Sequence, residues 1–335
     1  MQGRIDATVL GAGVMGLAAA WALARRGARV RVVDPQGVAA GASGGVVGAL
    51  APHAPERWTE AKAFQLDSLL LAPGWWAEVA AVGGGDPGYA RLGRLQPVPN
   101  AAAEALTRER AAAAATLWRG EATWTVEAAP ADGWGPGTGL VIRDTLSARL
   151  HPRRACDALA RAVRARGGTV ATDGDPAGAV IHATGWHGLA PFGGRAVKGQ
   201  AALLGLDRAS LPQLYVGGLH VVPHDDGTVA VGSTTERDFA DGAATDDALD
   251  AILARAREAV PALGRAPVIA RWAGLRPRAR SRAPLLGPWP GRPGHWVVNG
   301  GFKTGFGMAP LMAERLADLV LDGVDRIPAT FAPPA

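Results

Sequence analysis

Three glycines and one acid near the amino end of the chain have the spacing of a nucleotide-binding motif. Gly11, Gly13 and Gly16 lie in GAGVMG, and Asp34 follows 18 residues after the last of them. In such a turn the first glycine permits a tight bend, the second lets the backbone approach a pyrophosphate, and the third allows close packing of helix on strand. The Asp34 carboxylate is suited to accept hydrogen bonds from both ribose hydroxyls. Its charge would repel a 2′-phosphate, which disfavours NADP.

The residues around this motif predict the βαβ unit that the motif requires. Residues 6–10 form a short apolar strand, a helical pattern runs from GAGVMG to Gly27, and a second strand ends at Asp34. Val14 and Met15 stand at the start of the helix, where free N–H groups and the helix dipole favour phosphates. The amino end therefore predicts a dinucleotide site, and the motif alone does not separate NAD from FAD.

Three later glycine-rich segments favour a flavin. GASGGVVGALAPH at 41–53 replaces the further βα unit that an NAD domain usually has, and VIHATGWHG at 180–188 predicts a buried strand. Residues 296–323 predict a strand, a glycine-rich turn and a helix whose N-terminus, around Thr304–Gly307, would stabilise negative charge on a reduced flavin. The residues expected to line the cofactor in these segments are Ser43, Gly44, Val47, Gly48, Ala49, Gly185, Gly301, Phe302, Thr304 and Gly305.

The order of these motifs resembles that of a known family. GAGVMG…D, GASGGVVGALAP, HATGWHG, VKGQ, VGSTTER, WAGLRP and NGGFKTGFGMAP together are similar to the D-amino-acid oxidase superfamily, and most similar to its glycine oxidase and D-amino-acid dehydrogenase branch. The resemblance covers nearly the whole chain. It implies an α/β fold: a Rossmann-type FAD-binding domain assembled from separated segments, and a substrate-binding domain built on a mixed β-sheet.

Two domains follow from this resemblance and from the sequence patterns. We place the FAD-binding domain at 1–80, 145–195 and 284–335, and the substrate-binding domain at 81–144 and 196–283.

Two elements of the substrate-binding domain are predicted from the residues themselves. Residues 213–222 and 228–233 alternate around Asp225-Asp226-Gly227, which indicates a hairpin, and residues 244–260 have the pattern of an amphipathic helix.

The resemblance implies an oxidoreductase that acts on a small amino acid or a secondary amine. Such enzymes transfer a hydride from the carbon bearing the amine to flavin N5, and water then hydrolyses the imine. Oxygen, which would yield hydrogen peroxide, and a quinone-linked acceptor both remain open as electron acceptors. The cysteine motif of covalent flavoproteins is absent, and the single cysteine, Cys156, lies in a helical pattern elsewhere, so FAD is expected to bind non-covalently.

Three side chains are expected to contact the substrate. Arg276 matches the position at which the resembling oxidases place a carboxylate-binding arginine, and a guanidinium suits that role because it donates two parallel hydrogen bonds. Lys303 stands where glycine oxidases usually carry another arginine, and it would bind a carboxylate or assist oxygen. His220 falls where the family often has a tyrosine facing substrate. A surface arginine, a capping lysine and a half-buried strand histidine are the competing structural explanations.

One segment departs from the family pattern and leaves an alternative open. After Arg276 the chain reads RPRARSRAPLLG in place of the usual threonine and aspartate, and the arginines of 276–282 would suit an acidic substrate or RNA. GASGGVVGALAP also resembles the flavin domain of the bacterial enzyme that modifies carboxymethylaminomethyl-uridine at the tRNA wobble position. Nucleic acid is the less favoured partner, because the chain has no fused methyltransferase and no obvious basic tail.

Composition sets broader bounds on the function. The net charge of +5 is carried by arginines scattered along helical patterns, so it does not require a polyanionic partner. The apolar stretch 7–24 is broken by glycines and predicts a strand, turn and helix rather than a membrane span. No signal peptide is visible, so a cytoplasmic location is expected. No His, Cys, Asp and Glu grouping has metal-ligand spacing.

Overall fold

The computed structural model describes residues 4–131, 133–135 and 139–334. Its α-helices are α1 (Val14–Arg25), α2 (Glu60–Gly83), α3 (Ala101–Leu117), α4 (Pro152–Ala165), α5 (Asp247–Ala259) and α6 (Gly305–Asp322). Its strands are β1 (Ala7–Leu10), β2 (Val30–Val33), β3 (Ala49–Leu50), β4 (Arg94–Pro97), β5 (Trp124–Ala128), β6 (Leu140–Asp144), β7 (Ala148–Arg149), β8 (Thr169–Ala171), β9 (Ala179–His182), β10 (Arg195–Gly205), β11 (Gln213–Val216), β12 (Leu219–Pro223), β13 (Thr228–Gly232), β14 (Val268–Arg278), β15 (Leu285–Pro288) and β16 (His295–Asn299).

The predicted βαβ unit is confirmed and lies at the centre of a six-stranded sheet. The strand order is β15-β16-β9-β1-β2-β8, in which β15 alone runs antiparallel to its neighbour. β1 and β9 are adjacent although about half the chain separates them. Their carboxyl ends therefore meet at one edge of the sheet, which is where parallel α/β sheets bind ligands.

Three helices, α1, α4 and α6, contact this sheet, and a fourth, α2, packs on two of them. α1 is buried from Val14 to Ala24 on every face and contacts both α4 and α6, while α2 packs on α4 and α6. Alanine and glycine supply half of α1, and such small residues allow close helix contacts. A Cβ at Gly83 of α2, for example, would lie 2.7 Å from the Ala158 carbonyl oxygen of α4.

The second sheet is mixed and has eight strands in the order β14-β10-β13-β12-β11-β4-β6-β5. Only the β11–β4 pair is parallel. α5 covers part of one face through the buried side chains Leu249, Ile252 and Leu253. The α/β fold with a second, mixed sheet that the resemblance implied is thus confirmed.

Two predictions in the second sheet have different outcomes. The hairpin around Asp225-Asp226-Gly227 is confirmed by the antiparallel pair β12–β13. The treatment of 213–222 as one strand is wrong, because the chain reverses at Gly217 and Gly218, both with positive φ, and forms β11 and β12. The helix expected over 244–260 is present as α5, and the Asp246 carboxylate caps it by accepting from Ala248 N.

The strands of the first sheet come from segments assigned to the FAD-binding domain. Those of the second come from 81–144 and 196–283, apart from the first residue of β10. This distribution supports the proposed domain boundaries, which stay a prediction. Within the described ranges no helix combines the length and apolarity needed to cross a membrane. Among the same residues no group of three or more His, Cys, Asp and Glu side chains is arranged to hold a metal ion.

A buried carboxylate ties three of the helices together. Glu314 of α6 accepts hydrogen bonds from Trp75 Nε1 of α2 at 3.0 Å, from Arg25 Nη2 at 2.5 Å and from Arg26 Nη2 at 3.1 Å. Its exposure is 7%. We expect Glu314→Ala to lower the free energy of unfolding by about 1–3 kcal/mol, because it leaves the buried Trp75 indole N–H without its acceptor. Arg25 and Arg26 each lose one carboxylate partner but keep Glu78 and Asp318.

Chemical denaturation measures this loss, with Glu78→Ala as the matched control. Glu78 accepts from the same Arg25 but is 40% exposed, so its removal is expected to cost less than about 1 kcal/mol. Equal losses in the two variants would contradict the role of Glu314.

Candidate active site

The glycine turn after β1 is held against the end of β9. Gly11 has a φ of 109°, and a Cβ there would lie 2.4 Å from the Ala183 carbonyl oxygen. A Cβ at Gly16 would lie 1.9 Å from the Gly11 carbonyl oxygen. Both positions therefore require glycine, for the close approaches that the motif predicts.

The N-terminus of α1 gathers two more of the predicted residues. Ala12 N donates to Asp34 Oδ2 at 2.8 Å, and Val14 N donates to Ser43 Oγ at 3.0 Å. Gly13 is the N-cap residue and offers no side chain as a cap. Asp34 and Ser43 thus flank the glycine turn, as a ribose and a pyrophosphate ligand would require.

The segment 44–50 lies between the two sheets. Gly48 has a φ of 65°, and a Cβ there would lie 1.8 Å from the Leu150 carbonyl oxygen, so β3 can pair closely with β7. Val47 and Ala49 pack with Ala201 and other apolar residues of the second sheet. Gly44 also lies too close to neighbouring backbone for a side chain, since a Cβ there would be 2.3 Å from the Ala39 carbonyl oxygen.

The carboxyl-terminal turn meets the amino-terminal turn. A Cβ at Gly301 would lie 2.6 Å from Met15 Cε, and one at Gly305 would lie 3.9 Å from both Met15 Cε and Val14 Cγ1. Asn299 Nδ2 donates to the Gly185 carbonyl oxygen at 2.8 Å, which ties the end of β16 to the turn after β9. Residues from both ends of the chain therefore converge on one place.

Two helix N-termini in this place lack a side-chain cap from their N-cap residue, as α4 with His151 also does. α2, α3 and α5 are capped by Thr59, Asn100 and Asp246. Thr304, the N-cap residue of α6, instead donates its hydroxyl to the Gly301 carbonyl oxygen, and α1 has Gly13. Apart from Val14 N, which donates to Ser43 Oγ, the first-turn N–H groups beside these glycines suit an anionic, extended ligand, so the residues present fit a dinucleotide.

Arg276 lies buried at the end of the second sheet that faces this turn. Its guanidinium is held by Nη1 donating to the Thr234 carbonyl oxygen at 3.1 Å and by Nη2 donating to Ser233 Oγ at 2.5 Å. A Cβ at Gly199 would lie 1.8 Å from Nη2, so the glycine of VKGQ makes room for the guanidinium. Burial lowers the pKa of Arg276 to about 10 and the nearby Glu236 opposes that shift, so the group stays charged at neutral pH.

His220 and Lys303 lie close to Arg276. Burial first, and then the charges of Arg94, Lys303 and Arg276, lower the pKa of His220 to about 3, so its imidazole is neutral at physiological pH. Its Nδ1 is buried without a hydrogen-bond partner among the described residues. Burial and the charge of Arg276 likewise lower the pKa of Lys303. The three side chains expected to contact substrate are therefore brought together.

The arginines of 276–282 do not form the single cluster that the sequence suggested. Arg276 is buried, Arg278 is half-buried, and Arg280 and Arg282 are exposed. Strand β14 ends at Arg278, and Arg280 and Arg282 follow in the turn, so the four guanidiniums differ in burial and do not lie along one strand.

Sequence reasoning missed a buried ion pair beside His220. Arg94 Nε donates to Asp144 Oδ2 at 2.9 Å, and its guanidinium lies 5.7 Å from the centroid of the Tyr215 ring. The Tyr215 and His220 ring centroids are 4.9 Å apart. An arginine and an aspartate 50 residues apart on β4 and β6 carry no local signal, and only the antiparallel pairing of these strands reveals them.

Comparison with known proteins identifies the class. The family model described as FAD dependent oxidoreductase matches residues 6–319, so the chain belongs to this family and is an FAD-dependent enzyme. The putative thiamine biosynthesis oxidoreductase ThiO of Rhizobium etli is 32% identical, over 93% of this chain and 95% of that protein. The crystal structure of glycine oxidase from Geobacillus kaustophilus shares the fold, with a TM-score of 0.85 over 99% of this chain and 98% of that chain, at 23% identity.

Other relatives match over a smaller part of their length. A glycine oxidase of Pseudomonas putida is 39% identical over 140 residues, which is 41% of this chain and 38% of that protein. The tRNA 5-methylaminomethyl-2-thiouridine biosynthesis bifunctional protein MnmC of Maricaulis maris is 29% identical over 96% of this chain, but this is 53% of that protein. The class is therefore established, and the substrate is a matter for proposal.

The position of Arg276 over Gly199 yields a prediction for substrate binding. We expect Arg276→Ala to lower kcat/KM by about 30-fold to 1000-fold, which corresponds to about 2–4 kcal/mol of lost carboxylate binding. Gly199→Ala should act in the same direction, because its Cβ would displace the guanidinium. Both variants should retain bound FAD.

Gly205→Ala on the same strand is the matched control for Gly199→Ala. A Cβ at Gly205 would make ordinary contacts at 3.4 Å, so kcat/KM is expected to stay within about twofold. Steady-state kinetics checks these variants, and a loss below tenfold in Arg276→Ala would remove this residue from the site.

The neutral state of His220 predicts how the free energy of unfolding depends on pH. Its folded-state pKa of about 3 lies below the ordinary 6.5, so between these values the unfolded chain binds a proton that the folded chain does not. Proton uptake by the unfolded chain therefore lowers the free energy of unfolding at acid pH. The stabilisation associated with a neutral His220 is complete above pH 6.5 and is lost as the pH falls. We expect His220→Asn to flatten that dependence in denaturation experiments from pH 7 to pH 4. An unchanged slope would show that His220 is not held neutral.

Proposed function

We propose that this enzyme oxidises a small amino acid or a secondary amine of the glycine or D-amino-acid type. The observation that carries the proposal is the buried Arg276 guanidinium, which stands beside a neutral imidazole and the turn that begins α6. A carboxylate is the ligand that a buried, bidentate cation selects. Glycine oxidases among the relatives support the same substrate class.

The protein's own groups would hold the substrate by its two ends. Arg276 would pair with the carboxylate, and its hydrogen bonds to Ser233 and Thr234 fix the orientation of the guanidinium. His220 Nδ1, which has no partner among the described residues, would accept a hydrogen bond from the amine. The neutral imidazole adds no negative charge that would stabilise an ammonium ion, and the nearby cations disfavour one, which leaves the uncharged amine that the reaction needs.

The overall chemistry balances as a two-electron oxidation. The substrate carbon loses a hydride and the nitrogen a proton, which gives an imine, and water then yields an oxo acid and ammonia or a primary amine. Bound FAD supplies the two-electron acceptor. We propose Lys303 as a second cation of the site, where it would bind a carboxylate or assist oxygen. We propose oxygen or a quinone-linked carrier as the acceptor that would reoxidise the flavin.

The state of the cysteine supports non-covalent FAD. Cys156 is buried on α4, and burial raises the pKa of its thiol, so it is a poor nucleophile for a flavin. A lone, reduced cysteine also suits the cytoplasmic location that we propose. The roles of the cofactor-lining residues stay proposals, supported by their convergence around the glycine turn.

The tRNA-modifying alternative has weaker support. The bifunctional MnmC protein, which supports this alternative, is matched over only 53% of its length. Arg276 is also buried, so it is not exposed to an RNA backbone. A small-molecule amine is therefore the substrate class we favour.

The test is an anaerobic titration of the purified yellow protein. We expect two visible flavin absorption bands, and we expect them to bleach when glycine, sarcosine, D-alanine, D-proline or an acidic D-amino acid is added. Reoxidation by oxygen or by a quinone then identifies the acceptor. If every amine fails while bulk tRNA binds with a steep dependence on salt, the tRNA alternative replaces this proposal.

A further inference from the structure

Four guanidiniums near the carboxyl-terminal turn have no acidic partner. Among the described residues, no carboxylate lies within ion-pair distance of Arg195, Arg237, Arg278 or Arg282, and we name this group the arginine mouth. Arg195, Arg237 and Arg282 are exposed, and Arg278 is half-buried. Many arginines elsewhere are paired with acids; these include Arg25, Arg26, Arg29, Arg110, Arg119, Arg143, Arg154 and Arg271.

The strand register places two of these charges directly opposite each other. Arg195 pairs with Arg278 across β10 and β14, without a bulge at that end of the ladder. Like charges in directly opposed positions destabilise a sheet. Burial and the charges of Arg282, Arg195 and Arg237 lower the pKa of Arg278. This repulsion would be relieved by an anion bound among the guanidiniums.

The arginine mouth is continuous with the candidate active site. Arg276 and Arg278 alternate on β14, so they lie on one face of the strand about 6–7 Å apart. Arg278 forms an antiparallel bridge with Gly301, and Phe302 N donates to the Pro277 carbonyl oxygen at 3.2 Å. The Phe302 ring has the Arg278 guanidinium 5.9 Å from its centroid and the Lys303 ammonium 5.8 Å from it.

We propose that the arginine mouth binds a second carboxylate of the substrate, so that the enzyme prefers dicarboxylic amines. One carboxylate would pair with Arg276 and the other with Arg278 and its neighbours, one strand repeat away. This inference rests on the proposed amine oxidation. For iminodiacetate, loss of a hydride from carbon to FAD and of a proton from nitrogen gives the imine, and one water converts it to glyoxylate and glycine.

An RNA backbone is the less suitable occupant of the arginine mouth. Nucleic-acid surfaces need cations arranged along an extended stripe. Here Arg195 and Arg278 are paired across two strands, and Arg278 is bridged to Gly301 at the carboxyl-terminal turn. Arg271, further along the same strand, is neutralised by Asp250 at 2.5 Å. The arrangement fits a small dianion better than a polymer.

The experiment compares two substrates that differ only by the second carboxylate. Sarcosine is N-methylglycine, and iminodiacetate is N-carboxymethylglycine. We expect the wild-type holoenzyme to favour iminodiacetate at least tenfold in kcat/KM, and this preference to shrink as salt is raised. Arg278→Gln should remove most of the preference by raising KM for iminodiacetate, and should leave sarcosine within twofold.

Arg271→Gln is the matched control, because it removes the same charge from the same strand outside the arginine mouth. The ratio of kcat/KM for iminodiacetate to kcat/KM for sarcosine should be the same in this variant as in the wild type. A readout without turnover uses the unreactive ethers methoxyacetate and diglycolate, whose Kd values are measured from changes in the flavin spectrum. Diglycolate should bind more tightly, and Arg278→Gln should abolish the difference.

The outcomes separate this inference from the proposed function. Oxidation of sarcosine with no gain for iminodiacetate would overturn the role of the arginine mouth and leave amine oxidation intact. An equal loss for both substrates in Arg278→Gln would overturn it as well. Failure of all amines would overturn both proposals. Loss of salt-dependent tRNA binding in Arg278→Gln, with an unchanged substrate ratio, would assign the arginine mouth to RNA.

Discussion

Gly301 lies against the Met15 side chain so closely that an added Cβ would be 2.6 Å from Cε, and this contact joins the two ends of the chain. The N-termini of α1 and α6 meet there because both helices pack on each other over the same sheet. Neither N-cap residue supplies a side-chain cap, and apart from Val14 N, which donates to Ser43 Oγ, the first-turn N–H groups are left for an anionic ligand. Gly185 is tied to the same place, because Asn299 at the end of β16 donates to its carbonyl oxygen.

The buried Arg276, which we propose as the substrate-binding cation, lies close to this convergence. Burying a guanidinium without a carboxylate partner is unfavourable, and the protein offsets the cost with Ser233, Thr234 and the space above Gly199. The neighbouring cation Lys303 adds repulsion. In the role proposed for Arg276, an anionic substrate would offset both costs, which would strengthen its binding.

The segment 46–50 explains how two sheets share one site. It leaves the sheet that contains β1, pairs with β7, and packs its apolar side chains on the second sheet. Gly48 permits this because its positive φ and lack of Cβ let the backbone lie on the Leu150 carbonyl. The alignment of Arg276 with the glycine turn therefore depends on packing across this segment as well as on each sheet alone.

The sequence by itself determined the βαβ unit, the flavin class and the positions of Arg276, His220 and Lys303 in one family pattern. These features are local, because glycine spacing, strand alternation and short motifs each predict the conformation of neighbouring residues. Only the tertiary structure decided that Arg94 pairs with Asp144, that Gly199 accommodates a guanidinium, and that the arginines of 276–282 divide into a buried and an exposed part. Those facts depend on strand pairing and burial between distant segments, which residue order does not encode locally.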